Sequence, residues 1–361
     1  MAGEAMPVVH EAIKLISLTP KNTLSLIGLG FMGGLLSGFI GSGGAFIMTP
    51  GMMGLGVPGI MAVGSNLTHK FGKAMVGAKK HASMGNVDAR LAVSMFVALF
   101  AGTQSAVMLN KKIFELFGAA GSNLYISLAY VIVLSLVCFS MTRDINSTRH
   151  PKAQDARKLS LAQRIAKMNI PPMIHFKVAN CRVTLWLVLL VGFATGYLAG
   201  TIGVGGFIGV PAMIYLLGVP TMIAAGTELM MAIFSGAWGA FQYALSGYVD
   251  LRLVLLLYLG SLLGLYIGAI TTKVVKEIQI KMVIAVIVGV VAFSRVVAIP
   301  AYLKELNVLS MSATLKDSLL SGSNVIMYGS AAAGCLMILS WLFKALTRAS
   351  KLEEAHARRS A

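Results

Sequence analysis

Charge is what this chain has least of. Only 12% of its 361 residues are Asp, Glu, Lys or Arg, while 57% are hydrophobic, and a soluble domain ordinarily carries about twice that share of charge. That shortage excludes an ordinary water-soluble enzyme or nucleic-acid-binding domain, and a mean hydropathy of +0.81 makes lipid the expected solvent. Cysteine is nearly absent: Cys138, Cys181 and Cys335 are too few and too dispersed for a disulfide framework or a metal cluster, so they read as small packing residues and no metal or cofactor is expected. The G-x-x-x-x-G-K-[ST] phosphate loop is missing, which argues against ATP hydrolysis by this chain. The first residues lack a long apolar core followed by small residues, so they read as a mature end with a short surface helix near 8–18 rather than as a cleaved signal.

Long apolar runs are present in number. A spanning helix needs about 20 mostly apolar residues, and such runs recur at 124–141, 183–199, 251–271 and 325–343. Thirty basic residues stand against 13 acidic ones, but they sit mainly between and after the apolar runs. The densest stretch, 143–182, holds nine Lys or Arg against Asp144 and Asp155, and a second cluster (Lys344, Arg348, Lys351, Arg358, Arg359) closes the chain. Basic flanks of spans mark the cytoplasmic side, which accounts for the charge without a nucleic-acid partner.

The glycines reveal a duplication. GLLSGFIGSGGAFIMTP (34–50) aligns with GYLAGTIGVGGFIGVP (196–211), so that Gly34, Gly38, Gly41, Gly43 and Gly44 fall on Gly196, Gly200, Gly203, Gly205 and Gly206, an offset of 162. The same offset pairs Gly56-Val57-Pro58 with Gly218-Val219-Pro220, Gly64-Ser65-Asn66-Leu67 with Gly226-Thr227-Glu228-Leu229, and GNVDARL (85–91) with GYVDLRL (247–253). Shared hydrophobicity alone does not place Gly, Pro, Asp and Arg at one fixed offset.

Placing the basic loop inside puts the Lys79, Lys80, Arg90 turn inside and the Lys111, Lys112 turn outside. If the short segment after Gly206 brings the chain back across, the Lys273, Lys276, Lys281 turn and the C-terminal tail also fall inside. The expected fold is an all-α polytopic membrane protein with two homologous, inverted repeats, broken Gly/Pro-rich helices and roughly nine to eleven membrane segments. Its expected parts are an N-terminal segment (1–22), a first membrane repeat (23–142), a basic cytoplasmic loop (143–182), a second repeat (183–299), a linker with an additional span (300–346) and a basic cytoplasmic tail (347–361).

Paired short, Gly/Pro-interrupted segments in the two halves point to a transporter's central site. Close helix packing explains Gly34 and Gly38 well, but it explains the dense G-x-G-G runs before Pro50 and Pro211 poorly. A break there exposes backbone amides and the positive end of a following helix to an anion. The next helix carries the rare intramembrane charges. Asn66, Lys70, Lys73 and Gly77 share a face, with His69 at its border, and lysine at that depth is costly and seldom faces lipid. The alternative for Lys73, and less so for Lys70, is snorkelling to the inner headgroups.

The candidate substrate-binding residues are therefore Gly41, Ser42, Gly43, Gly44, Asn66, Lys70, Lys73, Gly203, Gly205, Gly206 and Thr227. Glu228 and His69 are candidates for proton coupling, although a lone intramembrane carboxylate equally suits a charge partner for a lysine or arginine. Arg295, near a span end, reads as reaching the interface, and the Asp88/Arg90 and Asp250/Arg252 pairs read as helix caps and anchors.

The duplicated G-x-I-G-x-G-G with its following Pro, and the G-x-V-D-x-R-L turn, resemble the TauE/SafE family of sulfite and organosulfonate exporters over about residues 25–295. The extended basic loop and the segment after Ile299 depart from the family's pattern. The resemblance implies export of a small sulfur-containing or carboxylate anion from the bacterial cytoplasm, and so a place in the inner membrane. With no phosphate loop, the chain reads as a secondary transporter working by alternating access at a midplane site between the repeats, with the coupling partner, protons or another ion, left open. An anion channel or partner-dependent membrane subunit is the alternative reading. An intramembrane enzyme using Ser42 and His69 is disfavoured, because position 204 in the second repeat is valine and Ile40 breaks the G-x-S-G pattern.

Overall fold

The protein is seen here in a computed structural model that describes residues 16–40, 44–149, 170–272 and 274–360. It is almost wholly helical. Helix α1 (Pro20–Ile40) is followed by a 3-10 turn (Gly44–Ile47), the short α2 (Met48–Gly54) and α3 (Gly59–Ser83). The run Ala89–Arg149 is interrupted at Gly118, whose φ of 62° and ψ of −158° are not helical, and so forms α4 (89–117) and α5 (119–149). The second half repeats the order with α6 (Leu185–Ile202), α7 (Gly206–Ala212, continued as a π-helix over Met213–Leu217), α8 (Thr221–Ala244), α9 (Leu251–Thr271) and α10 (Glu277–Glu305), and α11 (Ala313–Ser360) follows.

Among the described residues, six helices are long and apolar enough to cross a membrane, one of them being the interrupted 58-residue stretch of α4 and α5. Helices α3 and α8 fall outside that set; they carry buried polar groups, Asn66, His69 and Lys70 on α3 and Thr227, Glu228 and Ser235 on α8. Part of the basic loop is structured: Met173–Phe176 (β1) and Cys181–Thr184 (β2) form an antiparallel hairpin, pairing Met173 with Thr184 and Phe176 with Cys181. Asp88 fastens it, one carboxylate oxygen accepting from the Ala179 amide at 2.9 Å and the other from the Leu91 amide at 3.0 Å.

The duplication in sequence is matched by reciprocal contacts. On α1, a β-carbon at Gly30, Gly34 or Gly38 would collide with the backbone of Leu257, Ser261 or Leu265 on α9; on α6, Gly192, Gly196 and Gly200 stand in the same relation to Met95, Leu99 and Thr103 on α4. Each partner is 162 residues from its counterpart. Backbones approach this closely only where side chains are missing. The Asp88 amide donates to Thr227 Oγ1 at 3.0 Å, and the Asp250 amide donates to Ser65 Oγ at 3.2 Å, again a reciprocal pair.

Equivalent helices run antiparallel where they meet. Gly239, Gly236 and Leu229 of α8 face Leu67, Phe71 and Gly77 of α3 in that order. In α5 and α10, Cys138 meets Ala285 and Asp144 meets Lys281. Helix α7 does not continue α6 outward: Met213, Leu217 and Val219 pack in one apolar cluster with Phe176, Val183 and Val188 beside the start of α6. The chain therefore penetrates with α6, turns at Gly203 and returns with α7. At 1.5 Å per residue, the 12 residues 206–217 span only about 18 Å, roughly half the hydrocarbon thickness.

Candidate functional site

The two charged helices and the second chain break meet in the interior. Helix α3 presents Asn66, Lys70 and Lys73 on one face as its spacing predicts, and α8 crosses it in the opposite direction carrying Glu228. Lys70 Nζ lies 3.4 Å from Glu228 Oε1, and the two side chains are 10% and 1% exposed. The other oxygen, Oε2, is buried without a hydrogen-bond partner among the described residues. Lys73 Nζ donates to Ser37 Oγ on α1 at 2.6 Å, so it is held inward rather than extended to headgroups.

The break after α6 is shaped around these groups. Gly203 has a φ of 79°, the left-handed region that disfavours a β-carbon, and a β-carbon there would also lie 2.9 Å from Asn66 Nδ2. A β-carbon on Gly205 would lie 3.5 Å from Lys70 Nζ, and one on Gly206 would collide with the Glu228 carboxyl group. Glu228 thus sits at the first turn of α7, where the unpaired amides favour negative charge. Asn66 Nδ2 donates to Thr49 Oγ1 at 2.9 Å, and Thr49 in turn donates to the Ile202 carbonyl at 3.1 Å. Tyr130 donates to the same carbonyl at 2.9 Å. The first repeat's short helix is hence tied to the second repeat's break.

Not every predicted residue is free for a ligand. Thr227 is committed to the Asp88 amide, and His69 is enclosed against Ser261 Oγ at 2.8 Å and the ring of Tyr258. Gly77 packs on Leu229. Gly44 opens the 3-10 turn, while Gly41, Ser42 and Gly43 lie outside the described residues. Arg295 does not reach an interface: it is 1% exposed and bonded to Ser294 Oγ at 3.3 Å and Ser323 Oγ at 2.8 Å. The expected caps are present at Asp88, described above, and at Asp250, which accepts from the Arg252 amide at 3.0 Å.

Sequence reasoning missed Ser37, Thr49 and Tyr130. Ser37 lies one residue before Gly38 in the packing stripe of α1, and Thr49 immediately precedes the repeat's Pro50. A hydroxyl inside an otherwise apolar, glycine-marked helix was the available signal. Among the described residues no three His, Cys, Asp or Glu side chains are grouped as metal ligands.

Comparison with known proteins agrees with this architecture. The chain is 24% identical over 257 residues to the probable membrane transporter protein YdhB of Bacillus subtilis, covering 70% of this chain and 92% of that one. It is 26% identical over 250 residues to the probable membrane transporter protein YjnA of the same organism, covering 68% and 89%. A probable membrane transporter protein of Xylella fastidiosa is 25% identical over 261 residues, covering 70% and 86%. No solved structure matches. The profile of the family described as sulfite exporter TauE/SafE matches residues 26–295, which span both repeats, and the chain belongs to this family of membrane transporters.

Proposed function

We propose that the protein is a secondary transporter that carries a small monovalent oxyanion, such as hydrogen sulfite or an organosulfonate, out of the cytoplasm across the inner membrane. The observation that carries this reading is the charge balance of the central site, where, among the described residues, Lys70 and Lys73 stand against Glu228. A buried charge is stable only when it is compensated. One negative charge on a ligand would complete the balance, and a dianion would overshoot it unless a proton entered with it.

Glu228 already occupies the place an anion would take, beside Lys70 and at the start of α7. A substrate anion and an ionised Glu228 therefore compete for Lys70, and protonation of Glu228 releases the lysine to the substrate. This links anion binding to a proton without a metal or nucleotide. The antiparallel crossing of the equivalent helices α3 and α8 supports two repeats inverted across the membrane, and rocking of one against the other would expose the same site alternately to each side.

Counterflow in proteoliposomes tests this proposal. Labelled sulfite inside is exchanged against unlabelled sulfite, sulfoacetate, a small monocarboxylate or sulfate outside, with and without a pH gradient. Monovalent anions should drive exchange best, with sulfate requiring an inward proton supply. Equal exchange by sulfate without any dependence on pH would refute the charge argument, and no exchange by any anion would refute the substrate class.

A further inference from the structure

At the end of the bundle opposite the β-hairpin lies a cavity of about 260 Å³. It is walled by the Gly56-Val57-Pro58 turn before α3, by Ala119 and Asn123 in the first turns of α5, by Tyr302 and Glu305 at the end of α10, and by Ser323 and Asn324 of α11. None of these groups takes part in the Lys70 site. We propose that this cavity is a second, separate binding site for an oxyanion group, completed by α11.

Three observations point to negative charge. The first is Arg295, directly behind the wall. Its guanidinium is buried, donates to the cavity-lining Ser323 at 2.8 Å, and has no carboxylate within ion-pairing distance among the described residues. Its surroundings are the phenols of Tyr130, Tyr302 and Tyr328. A fully buried, uncompensated guanidinium is expensive, and an anion in the adjoining space offsets that cost.

The second is the backbone. The cavity wall includes the Gly56-Val57-Pro58 turn that leads into the 25-residue α3, whose dipole favours negative charge near its start, although the Gly59 amide there is already paired with Asn123. The third is Asn123. Its Oδ1 accepts from the Gly59 amide at 2.7 Å, which leaves its Nδ2 with no protein acceptor among the described residues and available as a donor at the wall. The carboxylate present, Glu305, is engaged by Lys316 at 3.2 Å.

Helix α11 makes the site. It supplies Ser323 to Arg295, and it fixes α2 through Asn324 Nδ2 to the Gly54 carbonyl at 3.1 Å and Tyr328 to the Gly51 carbonyl at 2.7 Å. The family profile stops at residue 295, so this wall lies beyond the matched region. An anion held here would sit against α2, whose Thr49 reaches the central site through Asn66, and would bias the position of the first repeat's short helix. The ligand is either a free oxyanion or the phosphate of a lipid headgroup, two sources with the same chemistry.

The test is calorimetric titration of sodium sulfate into purified, delipidated full-length protein carrying Lys70→Met and Lys73→Met, so that binding at the central site is removed. Saturable binding should remain. Asn123→Asp keeps the oxygen that caps Gly59 but places a negative charge at the cavity wall, and it should weaken the remaining binding at least tenfold; Arg295→Gln should do the same if it folds. Absence of saturable binding in the double variant, or binding indifferent to Asn123→Asp, would overturn the proposal. Repeating the titration with added phosphatidylglycerol separates the sources: competition identifies a lipid phosphate at this site, and an unchanged isotherm identifies a free anion there.

Discussion

Removing Glu228 should tighten anion binding, and removing Lys70 with it should restore the original affinity. In the wild type, two lysines and one carboxylate leave a net charge of +1 around the site. Glu228→Gln raises it to +2. For an anion about 6 Å from the altered charge and an effective dielectric constant near 20, the change is worth about 3 kcal/mol, roughly a hundredfold in affinity. Lys70→Met should shift affinity by a similar factor in the opposite direction. Because the two groups are only 3.4 Å apart and both buried, either single change also leaves a charge unpaired, at about 3–5 kcal/mol of stability. The Lys70→Met, Glu228→Gln double variant removes both charges, so its net charge returns to +1. Its affinity should lie within about tenfold of the wild type, by the usual non-additivity of contacting pairs. Titration of hydrogen sulfite or a monosulfonate into the four proteins, with thermal unfolding measured alongside, reads both effects. If Glu228→Gln weakens binding, or if the double variant is as impaired as Lys70→Met, net charge is not what selects the ligand.

Other consequences are simpler. Glu228→Gln should also flatten the pH dependence of transport, and a wild-type pH profile in that variant would remove Glu228 from proton coupling. Gly203→Ala should abolish transport in a folded protein, since its left-handed backbone adds about 1–2 kcal/mol of strain and its β-carbon would crowd Asn66; normal flux would contradict the shape assigned to the break. Gly196→Ala should lower the thermal midpoint by driving α6 away from the Leu99 backbone, whereas Gly322→Ala, with nothing within 4 Å, should not. Equal midpoints would undercut the glycine-mediated packing.

Much of this architecture is written in residue types that tolerate little substitution. The repeat was legible because Gly34, Gly38, Gly196 and Gly200 must be glycine where backbones touch, and because the V-D turns must present Asp88 and Asp250 as caps. The helical spacing of Asn66, Lys70 and Lys73 placed them on one face without a structure. Their partners were less accessible. Sequence left Glu228 open between a proton carrier and a counter-charge; three-dimensional packing brings it to Lys70 across 158 residues, where the ion pair does not exclude the proton role. Ser37, Thr49 and Tyr130 join the site through contacts between distant helices, for which no local pattern exists. Arg295 was misread because distance from a span end says nothing about an additional helix, and α11 supplies Ser323 and Tyr328 to its surroundings. The hairpin at 173–184 was hidden by the basic residues that surround its short apolar strands.

The central claim is that a small anion crosses this protein by way of Lys70. Its most direct test is the initial rate of labelled sulfite flux in proteoliposomes holding equal amounts of folded wild type and Lys70→Met. The account predicts saturable flux for the wild type and a loss of at least tenfold at low substrate for the variant. Equal rates would contradict it.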